Sequence, residues 1–206
     1  MSKIVASIAF GLLVGLFSPS LFAQNQKTFN VVIDAGHGGK DYGAQTGTLN
    51  EKDLTLAISK KIAELNSDKN IRVIFTRDAD DFTTLDHRVE STKNTDLMIS
   101  LHVSISNENV SGMEIYYPRE GEFSKKSKQF GYILSQSFND YEIHLNSLKM
   151  EPANFYVLRS ANCPAVLIEL GFLSNEDDVA YLTTESNQEE IANAILQSIE
   201  SMIPEE

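Results

Sequence analysis

The chain has 206 residues, of which 42% are hydrophobic and 22% charged, enough to bury one globular core. Five prolines, eleven glycines and the absence of any repeat or low-complexity tract exclude a fibrous or disordered class. A formal net charge of −12 keeps such a chain soluble and argues against binding nucleic acid through its phosphates.

Met1 to Ala23 reads as a secretory signal peptide. Lys3 supplies the positive start, Ile4 to Phe17 the apolar core, and Ser18-Pro19-Ser20-Leu21-Phe22-Ala23 the breaker and cleavage region. The apolar run is short for a membrane anchor, though an uncleaved anchor is the alternative. The expectation is an exported protein, periplasmic or otherwise at the cell wall, with no membrane attachment after cleavage. The only cysteine, Cys163, can form no intramolecular disulfide. It precedes an apolar run and reads as a buried structural thiol rather than a nucleophile.

From Val31 to Gly39 the chain runs Val-Val-Ile-Asp-Ala-Gly-His-Gly-Gly. The β-branched, non-alternating first half fits a strand buried on both faces. Gly36, Gly38 and Gly39 then allow a tight loop that presents His37 at the strand's carboxyl end, where open α/β sheets form their sites. Asn50 can cap a helix with Glu51 and Asp53 in its first turn, and Leu54, Ile58, Ile62 and Leu65 give that helix one apolar face. Ile71 to Phe75 is the next strand, Thr84 to Lys93 a short helix, and Asp96 to His102 and Met113 to Tyr117 two further strands. Phe130, Ile133, Leu134, Phe138 and Tyr141 mark a helix. Phe155 to Leu158 and Ala165 to Leu170 read as strands. Ile191, Ile195, Ile199 and Met202 mark a closing helix with Glu189 and Glu190 in its first turn. The alternation predicts a single α/β domain over residues 24–206: a mostly parallel twisted sheet of about six strands with helices on both faces.

His37 follows the first of these strands, His102 ends the third, and Glu169 lies near the end of Val166-Leu167-Ile168-Glu169. Glu51 starts the first helix, where the loop from His37 returns. Parallel neighbouring strands bring their carboxyl ends together, so these groups can converge. Two imidazoles and one carboxylate make a three-ligand zinc site with one open position, and Glu169 can serve as acid–base group beside it. Each residue also has a plainer reading. His37 fits an incidental turn residue, Glu51 a partner of the helix dipole, His102 a hydrogen-bonded core histidine, and Glu169 the ion-pair partner of an arginine such as Arg159. His87 reads as solvent-facing or structural, His144 as a loop residue, and Tyr116-Tyr117 as packing at the sheet edge.

These segments resemble the zinc-dependent N-acetylmuramoyl-L-alanine amidases, the bacterial cell-wall hydrolases that include the division amidases. The resemblance is carried by Val32 to Ala44, Glu51-Lys52-Asp53-Leu54, Thr76-Arg77-Asp78, Arg88, Asp96 to His102, Phe155 to Arg159 and Val166 to Asn175. It implies one Zn²⁺ per chain on His37, Glu51 and His102, with Glu169 catalytic. It also implies cleavage of the amide between N-acetylmuramic acid and the stem-peptide L-alanine of peptidoglycan. A zinc peptidase or deacylase acting on another amide is the alternative enzyme, and an inactive wall-binding module the non-enzymatic one. Where the family usually has Ala-Asn after the second histidine, this chain has Val103-Ser104. Some family members carry a helical plug between that histidine and the final glutamate. The segment Glu142 to Asn154, with Pro152 in it, reads as a loop and is short for such a helix, so the site is expected to be open without an activator. No second wall-binding domain is recognisable, and the sequence leaves the means of targeting open, a divisome or wall-binding partner being one candidate.

Overall fold

The computed structural model describes residues 28–143 and 147–203; the expected leader, Met1 to Ala23, and His144 lie outside them. The first strand, β1 (Phe29–Ala35), is followed by a two-residue-per-strand hairpin, β2 (Gln45–Thr46) and β3 (Leu49–Asn50), then α1 (Glu51–Leu65) and β4 (Ile71–Phe75). Next come α2 (Leu85–Glu90), β5 (Leu97–Ser104), β6 (Met113–Pro118), α3 (Ser124–Asp140) and β7 (Leu148–Ala153). The chain closes with α4 (Tyr156–Arg159), β8 (Ala165–Phe172), α5 (Glu176–Leu182) and α6 (Glu185–Glu200).

Six strands form one sheet in the order β4-β1-β5-β8-β6-β7. The four from β4 to β8 are mutually parallel; β6 is antiparallel to β8, and β7 runs parallel to β6. Alternate residues of each strand face opposite sides. Val31 and Ile33 of β1, Leu97, Ile99, Leu101 and Val103 of β5, and Val166, Ile168 and Leu170 of β8 share the larger core with α1, α3 and α6. Val32, Met98, Ala165 and Leu167 face the other way, into a smaller core with Val157 and Leu158 of α4. Both faces are thus covered, which is why the central strands read as unbroken apolar runs. The second face is the thinner one, and towards the carboxyl ends of β1, β5 and β8 it carries Asp34, Ser100, His102 and Glu169 instead of apolar residues.

The expected mostly parallel six-stranded sheet is the observed one, with one exchange of segments. Phe155 to Leu158 is not a strand. Phe155 occupies the N-cap position of the single turn of α4, and Val157 and Leu158 pack on the sheet's second face. A short apolar run bears either structure, and here burial against Val32, Met98 and Leu167 is met by a helical turn. The sixth strand is β7, inside the segment Glu142 to Asn154 read as a loop. It is an edge strand, half exposed, in which only Leu148 and Met150 alternate inward against the core, and its Pro152 is tolerated because an edge can spare one donor.

The ends of two helices also differ from expectation. Asn50 occupies the N-cap of α1 but does not cap with its side chain; its amide donates to Asp53 Oδ2 at 2.8 Å. The closing helix begins at Glu185, so Glu189 and Glu190 sit in its second turn. The unforeseen α5 carries a sequence signal. Asn175 accepts from the amides of Asp177 and Asp178, and three acidic residues follow it in the first turn. Cys163 is buried and free, and burial pushes its thiol up to about 11, as befits a structural residue. No helix among the described residues is long and apolar enough to cross a membrane.

Candidate active site and metal centre

At the carboxyl edge of the parallel strands, three residues far apart in sequence meet. One donor atom from each of His37, Glu51 and His102 lies within 4.8 Å of the others. The two imidazole rings meet edge to face, with centroids 5.0 Å apart. Glu51 is the first residue of α1, and its carboxylate is gripped from four directions. His37 Nε2 lies 3.1 Å from Oε2 and His102 Nδ1 2.8 Å from Oε1. The amides of Ala44 and Val103 donate to the same two oxygens at 2.8 and 3.0 Å. The departure at Val103 therefore leaves this contact intact, because it is made by the main chain. Burial alone would raise the Glu51 pKa, but the two histidines and the Ala44 amide outweigh it and hold the carboxyl well below the usual range. Burial likewise works to lower His37, and the carboxylates of Glu51 and Asp41 reverse the balance and raise it.

The local backbone is built for this approach. A Cβ at Gly36 would stand 2.6 Å from His102 Cε1 and from the carbonyl oxygen of Leu101, so only glycine fits there. The left-handed conformation falls on His37 itself, at φ 60°, a setting that costs a non-glycine residue about 1–3 kcal/mol and persists only where neighbours impose it. Those neighbours are arginines. Arg88 donates to the carbonyls of Ala35 and His37, both at 2.7 Å, and to Asp34. Arg77 donates to Ala35, Gly36 and Lys52 carbonyls at 3.0, 2.9 and 2.8 Å. Asp34 is fully buried and also accepts from Thr76 and Ser100 hydroxyls at 2.6 and 2.7 Å. Burial would raise its pKa; the Arg88 guanidinium, helped by the two hydroxyls, lowers it. His37 Nδ1 lies 2.9 Å from Asp41 Oδ2, an electrostatic contact without the alignment of a hydrogen bond.

Glu169 sits directly across from His102 in the β5–β8 ladder and from Glu114 in the β8–β6 ladder. Its Oε2 is buried and has no hydrogen-bond partner. Burial foremost, with the Glu51 and Glu114 carboxylates adding to it against the pull of His102, raises its pKa to about 7. Arg159 donates to the carbonyl of Asn154 at 2.9 Å and lies over the Tyr156 ring rather than pairing with Glu169. His87 is exposed, as expected. Tyr116 donates to Glu114 at 2.6 Å and meets Phe155 edge to face, consistent with packing towards the sheet edge.

A cleft of about 330 Å³ opens over His37, His102 and Glu169, walled by Phe82, Leu85, Phe155 and Tyr156. The donor set, two imidazoles and one carboxylate held by backbone amides, fits a zinc ion with one position left for a further ligand. Two of the three sequence-proposed donors, His37 and His102, thus share one cleft with the proposed acid–base residue, and the third, Glu51, is buried against both imidazoles. The network of Asp34, Thr76, Arg77, Arg88 and Ser100 was given no role by the sequence reading. Its signal was an aspartate inside an otherwise apolar strand, a residue that cannot stay charged there without a partner.

A three-donor cluster beside a carboxylate with one buried, unpartnered oxygen, at the carboxyl edge of a parallel sheet, suits a hydrolytic α/β enzyme. The particular family follows from comparison with known proteins. Residues 31–201 match the family described as N-acetylmuramoyl-L-alanine amidase, and the chain belongs to it. It is 35% identical over 173 residues to YqiI of Bacillus subtilis (strain 168), covering 83% of each chain. It is 32% identical over 187 residues to the probable cell wall amidase LytH of Staphylococcus saprophyticus, covering 89% of this chain and 61% of LytH; the chain thus spans about three-fifths of that relative. Among solved structures, the N-acetylmuramoyl-L-alanine amidase from Clostridium difficile 630 superposes with a TM-score of 0.79 at 32% identity, over 85% of this chain and 96% of that one.

Proposed function

We propose that this protein hydrolyses the amide joining N-acetylmuramic acid to the L-alanine of the peptidoglycan stem peptide, with Glu169 as the acid–base residue and His37, Glu51 and His102 holding one Zn²⁺. Family membership supplies the substrate class. The observation that carries the mechanism is the buried Glu169 oxygen without a partner, in one cleft with His37 and His102, the two imidazoles that converge with Glu51 on a common point. Zn²⁺ held by these residues would polarise the scissile carbonyl and make water a better nucleophile at neutral pH. Glu169, poised near 7, takes the proton from the attacking water and hands it to the leaving alanine nitrogen. Its unpartnered oxygen needs no internal bond broken before it does so. The amides of Ala44 and Val103 keep the Glu51 carboxylate from swinging. The protein is taken to be exported, with residues 24–206 as the working domain.

Digestion of purified sacculi tests the reading. The expected products are intact stem peptides with a free L-alanine amino terminus, lost on chelation and restored by Zn²⁺. Cuts within the stem would make the protein a peptidase, and a protein that binds sacculi but releases nothing would make it a wall-binding module.

A further inference from the structure

We infer that Arg88 is a positioning residue of the metal centre: its guanidinium, anchored on Asp34, fixes the backbone of His37 and thereby sets the affinity of the three-donor site. The inference rests on the metal reading above. Three consecutive carbonyls, those of Ala35, Gly36 and His37, are all held by guanidinium groups. Only Arg88 reaches the carbonyl of His37 itself, at 2.7 Å, the residue whose backbone is in the left-handed region. A peptide unit pinned on its carbonyl side cannot relax to the ordinary extended or helical conformation, so the imidazole stays aimed at Glu51.

Arg88 is placed for this role by its surroundings. It is the only buried residue of α2, and its other bonds run to Asp34 and the Ala35 carbonyl. Asp34 in turn joins β1 to β5 through Ser100 and to the end of β4 through Thr76. The fork geometry is needed: one nitrogen serves Asp34 and Ala35 while the other serves His37. An ammonium at the end of a lysine is a point donor and cannot span both. Partners that orient a metal ligand typically change metal affinity about 10- to 100-fold when removed.

The experiment compares Arg88→Gln, Arg88→Lys and Ser100→Ala with the wild-type protein. Zinc dissociation constants are measured by chelator competition, melting temperatures on chelator-treated protein, and visible absorption on the cobalt-substituted forms. Arg88→Lys keeps a cation opposite Asp34, so its metal-free melting temperature should recover most of what Arg88→Gln loses. Its zinc dissociation constant should still weaken by about 10- to 100-fold, with an altered cobalt spectrum. Ser100→Ala removes a partner of Asp34 without touching His37, and should lower the melting temperature while leaving zinc affinity unchanged. Wild-type affinity in Arg88→Lys, or an equal loss of affinity in Ser100→Ala, would reduce Arg88 to a structural residue and overturn the inference. If Arg88→Gln does not fold, Arg88→Lys and Ser100→Ala carry the decision. A wild-type protein that takes up no zinc would refute the metal reading and this inference together, whereas normal wild-type binding with an unaffected Arg88→Lys refutes the inference alone.

Discussion

Glu169 stands inside an apolar strand with a buried oxygen that nothing satisfies, and the cost of that placement is visible in its raised pKa of about 7. The folded protein therefore holds a proton there more tightly than the unfolded chain does. By linkage, stability is lost as pH climbs from the ordinary glutamate range through about 7. Glu169→Gln removes the charge and keeps the shape. Chelator-treated Glu169→Gln should melt close to wild type at pH 5 and above it at pH 8, while zinc content is unchanged. Its activity on sacculi should fall by about 10²–10⁴-fold, the usual worth of general acid–base catalysis. If the variant instead keeps near-normal turnover, Glu169 leaves the mechanism. His102→Ala makes the complementary cut: it should lose most bound zinc, because a site of three protein donors has little redundancy, and metal analysis of the purified variant checks it.

At the scale of the element, β1 does two jobs with alternate residues. Val31 and Ile33 fill the larger core while Asp34 on the other face ties the strand to Thr76, Arg88 and Ser100. The Asp34 pKa is depressed, so the sign is opposite to that of Glu169. Its contribution is fully present above the ordinary aspartate range and disappears as pH falls through the lower folded value. Asp34→Asn should therefore destabilise the protein at neutral pH, by about 3–5 kcal/mol, because Arg88 is left as a buried charge without its counter-ion. The difference from wild type should shrink in strong acid, where wild-type Asp34 is protonated too. Urea unfolding at pH 7 and in strong acid measures both; a difference independent of pH would mean that the charge of Asp34 is not what stabilises the strand.

For the whole molecule, the question is whether anything closes the cleft. Among the described residues, the interval from His102 to Glu169 is occupied by β6, α3, β7 and α4. β7 completes the sheet edge, and α4 contributes Tyr156 and Val157 to the wall of the cleft. Tyr156 also donates to Asp86 of α2 at 2.6 Å, tying the two walls together. The described elements of this interval are thus engaged in the fold. Purified protein should accordingly release stem peptides from sacculi without an added activator. A preparation that is inert until part of this interval is excised would contradict this.

The sequence by itself determined the α/β class, the central strands and the residue types that meet in the cleft. It could do so because strands buried on both faces leave long apolar runs, and because charged or glycine-rich breaks at their ends stand out against them. His37, Glu51, His102 and Glu169 were legible as candidates for that reason, and the family likeness joined them into one site. Only the tertiary structure decided which segment became the sixth strand. Phe155 to Leu158 has the stronger strand composition, yet β7 with its proline took the edge, because the place beside β8 was filled by β6 and the second face of the sheet still needed covering. Only the tertiary structure, likewise, revealed that Asp34 and Arg88 are partners and that Arg88 holds His37. A hydrogen bond between residues 54 positions apart leaves no periodic trace in a chain; it exists because sheet order and the seating of one short helix bring its two ends together.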